Sequence, residues 1–206
     1  WADLDKVIKS SDGWSAEKRY YFISKMVCHA SNYGMKPPTF RLNLLQKSEG
    51  KVSISLPEAK RFLNTYHELF PEIQLWHRET INTLRRDGIL RNLFGYPRVF
   101  TAQVEESMYK EAYAFVPQST VGTITNLTFS KMQQKIEDPN DKLSSMNVDI
   151  VQNNHDSVLI QCPPEHADYV AKETVDVMNC DLVSPRGERF KMKSEACIGD
   201  TWGGLA

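Results

Sequence analysis

The first sustained pattern of apolar and polar positions has the helical period. It opens at Ser15-Ala16-Glu17 and runs to about Asn32. Ser15 suits the N-cap, and Glu17 sits in the first turn, where a carboxylate meets the positive end of the helix dipole. Gly34 stops the pattern, with Pro37-Pro38 behind it. A polar, glycine-containing stretch from Gln46 to Ser55 follows, then two more helices. Pro57 begins the first, which reaches about Leu69, and Pro71 begins the second, which ends at Gly88. Apolar-rich runs at 89–94 and 98–100, around Gly95-Tyr96-Pro97, predict two short strands and a turn. Helices are predicted from Glu105 to about Ala114 and from about Gln118 to Glu137, where Asp138-Pro139-Asn140-Asp141 breaks the pattern. At 148–162, V-D-I-V-Q-N-N-H-D-S-V-L-I-Q-C places apolar-rich runs on either side of Asn153-Asn154-His155-Asp156, which predicts a β-hairpin. A helix from about Pro164 to about Met178 and a strand near 189–193 complete the order. Helices followed by a small antiparallel sheet with helices between its strands predict an α+β fold.

Composition narrows the picture. The 206 residues allow one large domain or two small ones with a substantial core. Hydrophobic content of 41% and charged content of 25% place the chain among soluble globular proteins. It has no run of 18 apolar residues, and its first residues do not form a signal peptide, so no membrane partner is expected. The net charge of −1 gives no global pull toward nucleic acid but leaves room for a local basic face. Cys28, Cys162, Cys180 and Cys197 form no C-x-x-C pair and read as free thiols in a reducing cytoplasm. Trp1 in place of a start methionine reads as a processed, truncated or excised chain.

Two constellations carry candidate chemistry. Asp156, held between paired strands, is a rigid place to hang a divalent metal. One carboxylate does not hold two metals, however, and His155-Asp156 also reads as a plain Asx-type turn. Lys25, His29 and Tyr33 are spaced by four along one helical face, with a drift of about 40° per step. Lysine suits a triphosphate and a flat ring suits a base or sugar. Gly34 permits close approach of a backbone or nucleobase. The same residues also fit a solvated basic face over a core helix.

Four segments taken in order shift the balance between these readings. K-R-Y-Y-F-I-S-K-M-V-C-H-A-S-N-Y-G-M, L-F-G-Y-P-R-V-F, K-E-A-Y-A-F-V-P-Q-S-T-V-G-T and N-N-H-D-S-V resemble the C-terminal part of a family A (polymerase I-like) DNA polymerase, bacteriophage type. The resemblance runs from about Ser15 to the closing I-G-D-T-W-G-G-L. It implies a lead-in at 1–14, helical fingers at 15–88 and the C-terminal part of a palm at 89–206, with the catalytic hairpin near 148–162. It places Lys25 on the triphosphate, His29 against the base and sugar, and Tyr33-Gly34 beside the templating base. It also places Gln118 at the duplex minor groove, assisted by Lys110, and Arg98 on duplex phosphate. His155 falls at the primer terminus, and Asp156 becomes a ligand of two magnesium ions about 4 Å apart. Primer-template DNA and deoxynucleoside triphosphates are the implied partners, and the cytoplasm (the host's, for a virus) is the implied location.

Three departures from the family pattern matter. Many relatives carry phenylalanine or tyrosine at His29 and glutamate at Ser157. The family's arginine four residues before the lysine is Tyr21 here. Lys18, about 20° off the face of Lys25 and roughly 10 Å away along the axis, is the better substitute; Arg19 is about 120° off. Upstream, the D-x-S-x-x-E-like motif with the other essential aspartate is missing, and Asp3, Asp5 and Asp12 lie in no apolar strand. The fragment alone is therefore expected to be inactive and to need a second segment or chain. The rivals are a non-catalytic duplex- or nucleotide-binding fragment and, more weakly, a metal-dependent nuclease or other nucleotidyl transferase.

Overall fold

The computed structural model describes residues 14–101 and 106–205. The lead-in through residue 13, with Asp3, Asp5 and Asp12, and the expected helix start at Glu105 lie outside the described residues. The architecture is α+β: long helices with three two-stranded sheets among the described residues. The chain divides into two compact units, one made of residues up to 90 together with 99–114, the other of 91–98 together with 115 onward.

In the first unit, α1 (Ala16–Asn32) begins where expected, because Ser15 Oγ accepts the Lys18 N–H at 3.2 Å. Its buried stripe of Ile23, Met26, Val27 and Ala30 packs on Phe40 and Leu44 of α2 (Pro37–Lys47), on Val52, and on Ala59 and Leu63 of α3 (Leu56–Leu69). Helix α2 corrects the reading of Pro37-Pro38 as only a stop. A proline at the first helical positions loses no hydrogen bond, and Phe40 and Leu44, one turn apart, are fully buried. Each such side chain contributes roughly 1.5–3 kcal/mol of hydrophobic stabilisation. Ser55 and Glu58 close a capping box on α3. Helix α4 (Pro71–Asp87) ends at Gly88, whose φ of 64° is left-handed.

Strands β1 (Ile89–Arg91) and β2 (Pro97–Val99) flank a turn at 92–96. Helix α5 (Glu106–Glu137) replaces the two helices expected from Glu105 to Ala114 and from Gln118 to Glu137. Pro117 has no N–H to give to the carbonyl four residues back. The helix nevertheless runs on, because Ala112, Thr120, Ile124, Thr125, Thr128 and Met132 bury along it. Packing outweighs the local penalty here.

In the second unit, Met132, Leu143, Met146, Val148 and Val170 form the core, joined by Ile150 and Ile160. The latter two lie on β3 (Asp149–Asn154) and β4 (Ser157–Gln161), which pair antiparallel with an irregularity at Val151. Helix α6 (Ala167–Met178) follows. Then β5 (Asp181–Val183), absent from the expected elements, pairs with β6 (Arg189–Lys191), which is shorter than the strand expected near 189–193. No helix among the described residues is long and apolar enough to cross a membrane. All four cysteines are free.

Candidate functional site

The two constellations fall on different units, so each stands on its own geometry. On the first, the buried stripe of α1 leaves Lys25 and His29 on the exposed side of the helix. The His29 ring meets Tyr33 edge-on, with centroids 4.7 Å apart. Burial, and then the charge of Lys47, holds the His29 pKa below its usual value, which favours the neutral ring. Lys47 ends α2, a helix that local sequence signals do not announce. Lys18 is placed differently from Lys25. Its ammonium stands 5.3 Å from the centroid of Trp14, a ring it shares with Lys51 at 5.8 Å.

The end of α1 is tied down tightly. Tyr33 N–H reaches His29 O at 3.2 Å, and Met35 N–H reaches back to Ala30 O at 2.8 Å across Gly34, whose φ is 65°. Only glycine adopts that conformation without strain. Asn32 is the hub behind it. Its Oδ1 accepts the Tyr66 hydroxyl at 2.9 Å, and its backbone carbonyl accepts the His77 Nε2–H at 2.8 Å. Burial, with the Cys28 contact adding, pushes the Tyr66 pKa up to about 12, so this hydroxyl keeps its proton. The His77 ring stacks on Tyr113 with centroids 3.9 Å apart and planes 21° apart. Sequence reasoning missed Asn32, Tyr66, His77 and Tyr113 as a group, because they come from four helices and no local spacing links them.

On the second unit, only His155 and Asp156 separate the last pair of the hairpin, Asn154 and Ser157. His155 takes the positive φ (40°) that such a short turn demands, a conformation in which histidine is enriched among non-glycine residues. Helix α5 fastens the tip. Thr125, fully buried, donates from Oγ1 to Val121 O at 3.1 Å and His155 O at 3.3 Å, and Asn153 Nδ2 donates to Asn126 Oδ1 at 2.6 Å. Asp156 is thus an exposed carboxylate on a short, anchored turn. That fits one ligand of a hard cation such as magnesium, which takes one or two carboxylates and fills its shell with water and phosphate oxygens. Among the described residues, no group of three or more His, Cys, Asp or Glu side chains could hold a metal ion. The residues present fit part of a metal site, not the whole.

Gln118 and Lys110 are exposed on α5, and the Arg98 guanidinium lies 5.9 Å from the Phe115 centroid. The anchor of the turn before Arg98 is Asn92, a residue that sequence reasoning did not single out. Buried, it donates to Ser119 O and Thr123 Oγ1 and accepts the backbone N–H groups of Phe94 and Tyr96 at 3.0 Å each.

The family model described as DNA polymerase family A matches residues 6–204. The thermostable DNA polymerase I of Thermus aquaticus is 25% identical over 158 residues, covering 74% of this chain and 18% of that protein. DNA polymerase theta of Drosophila melanogaster is 22% identical over 189 residues, covering 87% of this chain and 8% of that protein. The chain therefore spans less than a fifth of the length of these relatives. A solved structure, the POL domain of Pol1 from M. smegmatis in complex with DNA primer-template and dNTP, shares the fold. Its TM-score is 0.60 and its identity 18%, over 75% of this chain and 26% of that one.

Proposed function

The chain belongs to DNA polymerase family A, and on that premise we propose that it is the fingers and C-terminal palm portion of a template-directed DNA polymerase. Its reaction is addition of deoxynucleotides to a primer 3′ end. The observation that carries the reading is Asp156, an exposed carboxylate on a two-residue turn whose backbone is held by Thr125. Magnesium held there would activate the 3′-hydroxyl and neutralise charge on the leaving pyrophosphate. Asp156 supplies one ligand, and His155 meets the primer terminus. The missing D-x-S-x-x-E-like motif supports a second segment or chain carrying the other aspartate.

On the first unit, Lys25 binds the triphosphate, the neutral His29 ring lies against base and sugar, and Tyr33-Gly34 adjoins the templating base. Lys18 is the weaker phosphate ligand, since it already stands over Trp14. Gln118 and Lys110 serve the duplex, where amide donors meet minor-groove acceptors common to all base pairs, and Arg98 serves its phosphates. The four ordered motifs support a bacteriophage-type enzyme working in the host cytoplasm.

Single substitutions separate these roles in primer extension with a second segment or chain carrying the other aspartate supplied. Asp156→Ala is expected to abolish extension while sparing duplex binding, and Lys25→Ala to weaken nucleotide use. Equal loss of duplex binding in both would refute the assignments. A chain that binds duplex yet stays inert with that segment would be the non-catalytic fragment instead.

A further inference from the structure

We infer that the stacked His77–Tyr113 pair positions the Tyr33-Gly34 step for selection of the incoming base. The inference rests on the polymerase reading above, in which that step adjoins the templating base.

The geometry is a grip on both neighbours of Tyr33. On one side, His77 Nε2–H holds the carbonyl of Asn32 at 2.8 Å. On the other, Tyr113 lies so close to Gly34 that an added Cβ would stand 2.9 Å from its Cε2 and 3.3 Å from its Cδ2, with His77 Cε1 at 3.9 Å. The two rings are nearly parallel, and Trp76 packs against both, with centroids 5.1 Å from His77 and 5.9 Å from Tyr113. The free last turn of a helix frays, and with it any side chain at its cap. Here the cap residue is Tyr33, and α4 and α5 fix the backbone before and after it. Its ring in turn meets His29. A base seated beside Tyr33-Gly34 is then judged against a surface that does not yield. His77 and Tyr113 act through Tyr33 and Gly34, so they are positioning residues.

The test is incorporation of matched and mismatched deoxynucleotides by the chain supplied with a second segment or chain carrying the other aspartate. Tyr113→Ala and His77→Ala are expected to lower the ratio of matched to mismatched kcat/KM roughly tenfold, the order of one aromatic contact. Tyr113→Phe, which keeps the ring, is expected to retain the ratio. Lys25→Ala is expected to slow both nucleotides alike and leave the ratio unchanged. If Tyr113→Ala does not fold, Tyr113→Leu, which fills the space without a planar ring, carries the same expectation. A wild-type ratio in the Ala or Leu variants, with both rates reduced together, would show a merely structural contact and overturn the inference. A wild-type protein that extends no primer would refute the underlying reading before any variant is compared, and the inference with it.

Discussion

Asp156 and Lys25 both stand at exposed positions, but their proposed roles differ, and so do the expected effects of removing them. Loss of a charge that acts on the reacting atoms costs rate; loss of one that binds substrate and transition state alike costs affinity. Asp156→Asn is therefore expected to lower kcat by at least roughly a thousandfold with duplex affinity nearly unchanged. Lys25→Ala is expected to raise KM for deoxynucleotides by about tenfold to a hundredfold. Steady-state kinetics beside a duplex-binding titration distinguish the two.

The histidines make a separate prediction. Burial is the first cause holding His29, His67 and His77 below the ordinary 6.5, with Lys47 adding at His29 and His77 adding at His67. The bond to Asn32 only partly opposes it at His77. With folded values below unfolded ones, the unfolded chain binds more protons under acid conditions. The stability these rings contribute is present above about pH 6.5 and falls as pH drops through their folded values. Urea unfolding at pH 7.5 and pH 5 should show the lower midpoint at pH 5, with a smaller difference in His77→Gln. An unchanged midpoint in the wild-type chain would show that these rings are not held neutral by the fold.

At the scale of elements, the anchors of the hairpin and the turn are where small changes should act at a distance. Thr125→Val preserves shape but removes the hydroxyl bonded to His155 O. It should cost about 1 kcal/mol of stability and lower kcat without raising KM for nucleotide, because Asp156 moves while Lys25 does not. Asn92→Ala strips the partners from the N–H groups of Phe94 and Tyr96. A loss of about 2–3 kcal/mol in chemical denaturation is expected.

Legibility in the sequence followed the locality of the signal. Ser15, Gly88 and the apolar runs around His155-Asp156 act through neighbours within a few residues, so α1, the end of α4 and the hairpin could be read directly. Helix α2 could not. Lys36 at its N-cap makes no side-chain capping bond, and its prolines punctuate a stop as readily as a start. Pro117 misled in the opposite direction, because burial of Ala112 and Thr120 on either side carries the helix through it. Strand β5 is three residues long and exists by pairing with β6. The Asn32–His77–Tyr113 group needs three helices packed together before any of its members looks special.

For the whole molecule, the proposed nucleotide-binding residues lie on one unit and the proposed metal ligand Asp156 on the other. Family membership is shown; under the proposed function, a second aspartate supplied by another segment or chain completes the metal site. The most direct measurement is extension of a primed single-stranded template with magnesium and all four deoxynucleoside triphosphates. It compares the 206-residue chain alone with the chain supplied with a second segment or chain that carries a D-x-S-x-x-E-like motif. No extension is expected from the chain alone. Template-directed extension is expected with the segment and should disappear with Asp156→Ala. Robust extension by the chain alone would contradict the account.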